Sequence, residues 1–302
     1  MQKEFIIYGI IALLILWIYI EQRLLLITKY QVNSEKLPPS LEHTGFVVLA
    51  DLHNRTFGTD NHRLVKRIHS LKPDFIIVAG DMINKRSSCY PSQAYTLLEQ
   101  LADQYKIFYA YGNHEQRMEQ YGKASLSERT NEESAYYHTW IEFKNRLRKL
   151  GVFFLDNESI TMEWKGEKLR ISGVSINSEY FGFQTQKEME YNYLPSLIGE
   201  SSRDNYQLLI AHNPLYIKNY AEWGADLVLS GHLHGGMMRL PWIGGVLSPQ
   251  AKFFPKYDAG KYNYQKSQLI VSRGLGSHSI MPRIFNIPEL VYVKFVRNNN
   301  SR

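Results

Sequence analysis

The stretch "FVVLADLHNRTFGTDNHRLVKRIHSLKPDFIIVAGD", residues 46–81, contains two short β-branched runs with an amphipathic segment between them. The runs "FVVLA" and "FIIVAG" have the length and composition of buried strands. Leu64 and Ile68 recur at helical spacing between them, and Pro73 ends the helix. A strand, a helix and a second strand in this order predict a parallel α/β unit.

The same alternation continues along the chain, with a helix predicted over residues 92–105, a third strand at "IFYAYG" and a helix over residues 135–150. Residues 116–134 are polar and non-periodic, which predicts a solvated loop that could act as a lid. After Gly151 the apolar runs are short, with few helices between them, and predict a second, more antiparallel sheet. The expected fold class is therefore α/β, a four-layer α-β-β-α sandwich in which two mixed β-sheets are flanked by helices.

The start of the chain is different in character. "FIIYGIIALLILWIYI", residues 5–20, is an uninterrupted apolar run of roughly 16 residues, near the length that spans a bilayer. We predict an N-terminal transmembrane or signal-anchor helix within residues 1–31, a linker over 32–44 and one catalytic domain over 45–302. A cleaved signal peptide and a buried core helix are the alternatives, but no small-residue cleavage pattern follows the run.

Charges flanking the apolar run bear on its orientation. Lys3 precedes the run, and Arg23, Lys29 and Lys36 follow it. By the positive-inside rule this favours a cytoplasmic position for the domain that follows, although so few charges leave the side of the membrane open.

The overall composition is that of a globular protein. The chain has 302 residues, of which 44% are hydrophobic, and a formal net charge of +6. Lys and Arg are scattered among acidic residues, so no nucleic-acid partner is expected. The single cysteine, Cys89, excludes an internal disulfide. The oligomeric state is left open.

Polar residues with metal-binding side chains follow the predicted strands at their carboxyl ends. They are Asp51 and His53, Asp81, Asn113 and His114, His212, and His232 and His234. Strand carboxyl ends border the ligand crevice of an open α/β sheet. Spacing of i and i+2 points two side chains the same way if the backbone stays extended. Burying so many polar groups together is costly unless metal ions bind them, and nitrogen and oxygen ligands without thiolate suit Zn, Mn, Fe or Co.

The five ordered blocks "DLH", "GD", "GNHE", "AHNP" and "GHLHGG" resemble the calcineurin-like metallophosphoesterase superfamily over about residues 45–295. The late stretches "FFPKYDAGKY" and "SRGLGSHSIMPRIFNIPELV", together with the apolar N-terminal segment, resemble its membrane-associated branch of YkuE-type and YaeI-type phosphodiesterases. The resemblance implies two divalent metal ions at one centre.

The resemblance also implies roles for individual residues. Asp51, His53 and His234 are expected to hold one ion, Asn113, His212 and His232 the other, and Asp81 to bridge them. His114 is the expected catalytic residue, contacting the scissile phosphate and assisting the leaving oxygen. Arg273, in "SRGLG", is a candidate substrate-binding clamp because guanidinium suits phosphate; a surface arginine is the alternative.

The expected activity is hydrolysis of a phosphodiester or pyrophosphate bond. A domain tethered close to the bilayer favours a lipid-linked substrate. The resemblance implies an activity like that of a UDP-diacylglucosamine pyrophosphatase. Two alternatives remain: a phosphodiesterase acting on soluble nucleotides, and a membrane-tethered protein that keeps the metal site and binds a ligand without turnover.

Overall fold

Two six-stranded sheets pack against each other in the computed structural model, which describes residues 2–84, 92–124, 130–182, 187–202, 204–248, 253–277 and 283–297. The strands are β1 (Leu26–Asn33), β2 (Gly45–Leu49), β3 (Phe75–Ala79), β4 (Lys106–Ala110), β5 (Phe153–Leu155), β6 (Glu158–Trp164), β7 (Glu167–Val174), β8 (Tyr206–Ala211), β9 (Leu227–Ser230), β10 (Met238–Leu240), β11 (Gly244–Leu247), β12 (Gly260–Tyr264), β13 (Ser267–Val271) and β14 (Glu289–Val296). The helices are α1 (Gln2–Glu21), α2 (His62–Leu71), α3 (Ser92–Ala102), α4 (Asn113–Lys123), α5 (Asn131–Lys149), α6 (Tyr193–Ile198) and α7 (Ile217–Trp223).

The first sheet has the strand order β1-β14-β2-β3-β4-β5. Its strands run parallel except at the antiparallel pair β14 and β2. Strands β2 and β3 are buried along their whole length, as the continuous apolar runs predict for parallel strands covered on both faces.

The second sheet has the order β12-β13-β9-β8-β7-β6. Its four inner strands are parallel, and antiparallel pairing occurs only at its two edges. The second sheet is therefore more antiparallel than the first, as predicted, with two antiparallel pairs against one, but its centre is parallel. The crossover helices α6 and α7 are only 6 and 7 residues long, too short for helical periodicity to stand out in the sequence.

The predicted four-layer arrangement is confirmed. One apolar cluster lies between the sheets and includes Phe46, Phe108, Leu208 and Leu229. Separate clusters lie on the outer face of each sheet, under α2, α3 and α5 on one side and under α6 and α7 on the other.

The expected loop over residues 116–134 is largely helical in the described part of the chain, since α4 extends to Lys123 and α5 begins at Asn131. Residues 125–129 lie outside the description. The two helices pack on each other through polar contacts, with the Trp140 indole N–H donating to Glu119 at 2.7 Å. Lys144 pairs with the same carboxylate. Aromatic rings also take part, since those of Tyr121 and Tyr136 are 6.2 Å apart. Because polar and aromatic groups share this contact, the segment lacks the regular apolar periodicity that predicts a helix.

The N-terminal segment is helical as predicted. Lys3–Glu21 forms a helix long and apolar enough to cross a membrane by length and composition, with nearly all of its surface exposed. Residues 26–33 differ from expectation, because they form β1, paired in parallel with β14 from Leu26 opposite Glu289 onwards. The boundary predicted between anchor and linker therefore falls inside a strand. Residues predicted to be linker are packed, with Leu37 and Leu41 buried.

Candidate metal centre

The candidate metal-binding residues converge where the two sheets meet. Strands β2, β3 and β4 of the first sheet, and β8 and β9 of the second, end at this place, and each is followed directly by residues of the motifs. Within each sheet these strands are parallel, so their carboxyl ends lie at the same end of the sheet. The ligand crevice expected from the sequence is therefore built from both sheets.

One group of side chains consists of Asp51, His53 and His234, whose possible ligand atoms lie within 4.8 Å of one another. Asp51 Oδ1 is 3.9 Å from His53 Nε2 and 3.5 Å from His234 Nε2. The two imidazole Nε2 atoms are 3.4 Å apart. Three buried ligand atoms pointing at one small volume are the arrangement a divalent ion requires.

A second group consists of Asp81, His212 and His232. His212 Nε2 lies 3.2 Å from Asp81 Oδ2, without a hydrogen bond of good geometry. Among the described residues, Asn113 Oδ1 also has no hydrogen-bond partner, although it is buried. Buried acceptors without donors are costly, so both atoms fit the ligand role predicted for them.

His114 belongs to a third group with His53 and Asp81. Its Nε2 is 4.0 Å from Asp81 Oδ2, and its backbone N–H donates to Asp81 Oδ1 at 2.9 Å. The side chain projects from the first turn of α4, so the same turn carries Asn113 and His114 into the site. His114 lies close enough to assist chemistry at the centre.

The ring orientation of three histidines is set by oxygen atoms behind them. His53 Nδ1 lies 3.0 Å from Asn84 Oδ1, His212 Nδ1 2.7 Å from Ala79 O, and His234 Nδ1 3.2 Å from Gly276 O. Because Ala79 and Gly276 offer only carbonyl oxygens there, which accept, the Nδ1–H of His212 and of His234 donates. The Nε2 lone pair is then left to face the centre, the arrangement common in metal sites.

The backbone at the site is in the left-handed region at most of the predicted ligands: Asp51, His53, Asp81, His232 and His234 have φ of 52°, 49°, 55°, 74° and 51°. The extended backbone assumed for the i and i+2 pairs is therefore absent. Non-glycine residues in this region are strained, and such strain is typical of functional sites. With this backbone His232 and His234, two residues apart, reach different groups, whereas Asp51 and His53 share one.

The carboxylates and imidazoles influence one another strongly. Burial raises the pKa of Asp51 to about 7, against the opposing charge of His212. Burial also acts to raise the pKa of Asp81, but the imidazolium charges of His212 and His114 outweigh it and hold that pKa well below its usual range. The pKa of His212 rises to about 10, since the attraction of Asp81 exceeds the opposing effect of burial. Two buried carboxylates are stable in the ionised form only when positive charge lies close to them. Bound divalent ions supply that charge when the imidazoles are neutral.

Two glycines let the backbone approach the carboxylates. A Cβ on Gly112 would overlap Asp81 Oδ1, and a Cβ on Gly231 would overlap Asp51 Oδ2. Neither position can carry a side chain without displacing a predicted ligand.

The structure does not place Arg273 in any of the three groups. Its Nε is 3.8 Å from Glu289 Oε1, and about a quarter of its side chain is exposed. The guanidinium is thus turned toward a buried carboxylate, and its role as a phosphate clamp stays a prediction.

Sequence reasoning missed Arg283 and Asn286, which support His234 from behind. Arg283 is buried and donates to Arg273 O at 2.5 Å and to Gly276 O at 2.6 Å, the latter being the carbonyl that faces His234. Asn286 Nδ2 donates to His234 O at 2.6 Å. Burial lowers the pKa of Arg283 to about 9. Both residues lie in an irregular segment with no periodicity, so the sequence carries no local signal for them.

Glu115 was also missed, although it ends the block "GNHE". Its buried carboxylate accepts hydrogen bonds from the backbone N–H of Asp81 at 2.8 Å, of Met82 at 2.9 Å and of Gly112 at 2.9 Å, and from the Tyr109 hydroxyl at 2.8 Å. This one side chain therefore ties together the turns that follow β3 and β4.

Glu115→Gln is expected to lower the free energy of unfolding by about 2–3 kcal/mol, because the amide group turns a donor toward a buried N–H that then lacks an acceptor. The measurement is urea unfolding of the full chain in detergent. Glu99→Gln is the control, since the Glu99 carboxylate is exposed and its one hydrogen bond within the described part of the chain comes from the Tyr95 hydroxyl. Equal stability of the two variants would contradict the support role.

Comparison with known proteins agrees with this geometry. The calcineurin-like phosphoesterase family model matches residues 45–236, which include every predicted metal ligand. The chain belongs to this family. Calcineurin-like phosphoesterases use a dinuclear divalent metal site, and the grouped Asp and His side chains fit one. The protein is accordingly a metal-dependent phosphoester hydrolase.

Several relatives of this phosphoesterase match nearly the whole chain. The uncharacterized metallophosphoesterase YkuE of Bacillus subtilis is 24% identical over 90% of this chain and 86% of its own length. An uncharacterized metallophosphoesterase of Aquifex aeolicus is 27% identical over 93% and 96%. A transmembrane protein with metallophosphoesterase domain from Bos taurus is 26% identical over 87% of this chain. The matched region covers about half (55%) of the bovine protein. Among solved structures, a phosphopantetheinyl hydrolase from Mycobacterium tuberculosis matches with a TM-score of 0.40 and 15% identity, over 76% of this chain and 89% of its own.

Proposed function

We propose that this phosphoesterase is anchored in a membrane by α1 and hydrolyses a phosphodiester or pyrophosphate bond of a lipid-linked substrate. In this proposal Asp51, His53 and His234 hold one ion, Asn113, His212 and His232 hold the other, and Asp81 bridges them. When bound, the ions lower the pKa of a water molecule and neutralise the charge that develops on the phosphoryl oxygens.

His114 has the part of the proton donor. Its Nε2 is held 4.0 Å from Asp81 Oδ2. From that position His114 donates a proton to the oxygen that leaves phosphorus, so that neither a free alkoxide nor a fully deprotonated phosphate monoester has to form.

The observation that carries the lipid-linked substrate is the direction of β1. Strand β1 begins at Leu26 beside Glu289, the first residue of β14, and β14 runs antiparallel to β2. The start of β1 therefore lies at the end of the sheet where β2 finishes and Asp51 follows. Only four residues separate the last residue of α1 from β1, so the apolar helix enters the domain at the edge that carries the metal ligands.

A cavity beside the centre offers room for the rest of a substrate. It has a volume of about 200 Å³ and is lined by His232 together with Phe181, Phe254 and Lys256. The side chains of Phe253 and Phe254 at its rim are exposed. A largely apolar lining with the cation Lys256 suits an acyl chain joined to a phosphate, and the aromatic side chains equally suit the base of a UDP-linked acylated glucosamine or of a soluble nucleotide.

Hydrolysis by the full chain in vesicles, supplied with Mn, Zn, Fe or Co, tests this proposal. The substrates are a lipid-linked pyrophosphate in the same vesicles, a soluble chromogenic phosphodiester and the matching monoester, with Asp81→Asn as the inactive control. The full chain is needed because a truncation at Val32 would remove most of β1.

Metal-dependent turnover with a higher kcat/KM on the lipid-linked substrate is the expected result. Faster turnover of the soluble diester, or of a soluble nucleotide diester, would shift the assignment to a soluble phosphodiesterase. Bound metal without turnover of any of these substrates would contradict the proposal and favour a ligand-binding protein.

A further inference from the structure

A basic groove begins directly at the end of α1. Arg63 of α2 donates through Nη2 to Arg23 O at 3.2 Å, which joins α2 to the residues just after α1. The groove between them has a volume of about 390 Å³, and the described residues that line it include Arg63, Lys66 and Arg67 and no acidic side chain. Its floor is apolar, formed by Leu24, Leu25 and Phe57.

An apolar surface lies on another side of the same helix end. The turn between β10 and β11 exposes Trp242 completely and Ile243 by more than half. Phe285 lies beside this turn, and the Phe285 backbone N–H donates to Glu21 Oε2 at 2.8 Å. The rings of Phe285 and Trp17 are 6.3 Å apart. The hairpin is thus connected through Phe285 to the last turn of the helix.

We infer that this surface, formed by the basic groove and the hairpin turn, docks the domain onto a bilayer containing anionic phospholipid. The inference rests on the membrane anchoring proposed above. Phosphate groups of the lipids bind Arg63, Lys66 and Arg67, while Trp242, Ile243 and Phe285 enter the interfacial region. Indole rings favour that region, and cations near it gain from the negative surface potential.

Docking on two sides of α1 has a consequence for orientation. One helix fixes the distance of the domain from the bilayer but leaves it free to tilt. Contacts through both the groove and the hairpin hold the sheet edge with the metal ligands toward the lipid, because α1 enters at that edge. A substrate embedded in the bilayer then reaches the centre without leaving the lipid surface.

Fluorescence of the full chain in vesicles tests the docking. A Cys89→Ser chain receives one cysteine, either by Ile243→Cys or by Glu163→Cys, and carries an environment-sensitive dye there. Glu163 is exposed on β6, beside the turn into β7. It lies at the end of the sheets opposite to the candidate metal ligands. Lipids with a nitroxide quencher near the headgroup report proximity. We expect a blue shift and quenching at position 243 and neither at position 163.

Carbonate extraction of the same vesicles separates the two proposals. A chain that is extracted lacks the anchor, which would overturn the proposed anchoring. A chain that resists extraction but shows equal quenching at positions 243 and 163 keeps its anchor and refutes the docking surface.

A charge variant tests the groove. The triple variant Arg63→Gln, Lys66→Gln and Arg67→Gln should lower the ratio of docked to undocked protein by about 100-fold in anionic vesicles, since each cation contributes about fivefold. The control removes the same charge at the opposite edge through Lys149→Gln, Lys165→Gln and Lys168→Gln and should leave quenching at position 243 unchanged. Quenching that is insensitive to the groove variant, or equally sensitive to both, would contradict lipid binding in the groove.

Discussion

Asp81→Asn is expected to lower kcat/KM by at least about 10³-fold, because Asp81 is the proposed bridge between the two ions and its loss would remove several kcal/mol of charge stabilisation. Asp81 Oδ2 lies 3.2 Å from His212 Nε2, 3.9 Å from His53 Nε2 and 4.0 Å from His114 Nε2. An amide in its place has no charge and only one acceptor oxygen. That oxygen can still accept the His114 backbone N–H, so the fold should persist. Bound metal per chain and turnover are the two measurements.

Asp226→Asn is the matched control for this variant. Asp226 is also a partly buried acid with an ion pair, to Lys36 at 2.9 Å, and it accepts the Gln207 backbone N–H at 2.7 Å. It lies at the start of β9, at the far end of the strand from the metal centre. The control should keep its metal and its activity. A full complement of two ions in both Asp81→Asn and His212→Ala would refute the ligand assignment.

His114→Ala is expected to lower kcat by about 10²–10⁴-fold on an ester with a poor leaving group, while the metal content stays unchanged. The loss should be much smaller on a nitrophenyl ester, because nitrophenolate leaves without needing a proton. The measurement is kcat on an alkyl and a nitrophenyl phosphodiester, together with metal analysis of the same samples.

His138→Ala serves as the control, since His138 is exposed on α5 and lies outside the three metal-binding groups. Two results would contradict proton donation by His114. Loss of a metal ion would make His114 a ligand, which its grouping with His53 and Asp81 permits. An equal loss of kcat on both esters would leave it a positioning residue.

The sequence was a good guide to the strands of the core and to the residues that follow them. Strand β2 and strand β3 are buried on both faces, so they appear as continuous apolar runs, and a polar residue directly after such a run stands out. Asp51 and Asp81 could be found in this way. His212, His232 and His234 follow β8 and β9 for the same reason.

Local patterns were a poor guide where stability comes from distant or polar contacts. Strand β1 pairs with β14, which lies more than 250 residues further along the chain. The residues near β1 therefore do not indicate which strand it pairs with. Helices α4 and α5 meet partly through the polar contact of Glu119 with Trp140 and Lys144, which interrupts any regular apolar stripe. A linker and a loop were therefore expected where the protein has a strand and two helices.

The sequence by itself determined the α/β class, the apolar helix and the set of candidate metal-binding side chains. Each of these depends on the composition and order of residues within a short stretch of the chain. The tertiary structure alone decided how those side chains are used. Left-handed backbone at Asp51, Asp81 and His234 directs them inward, and carbonyl oxygens such as Gly276 O set which imidazole nitrogen faces the centre. Whether such strain is tolerated depends on contacts between both sheets, which no single stretch of sequence contains.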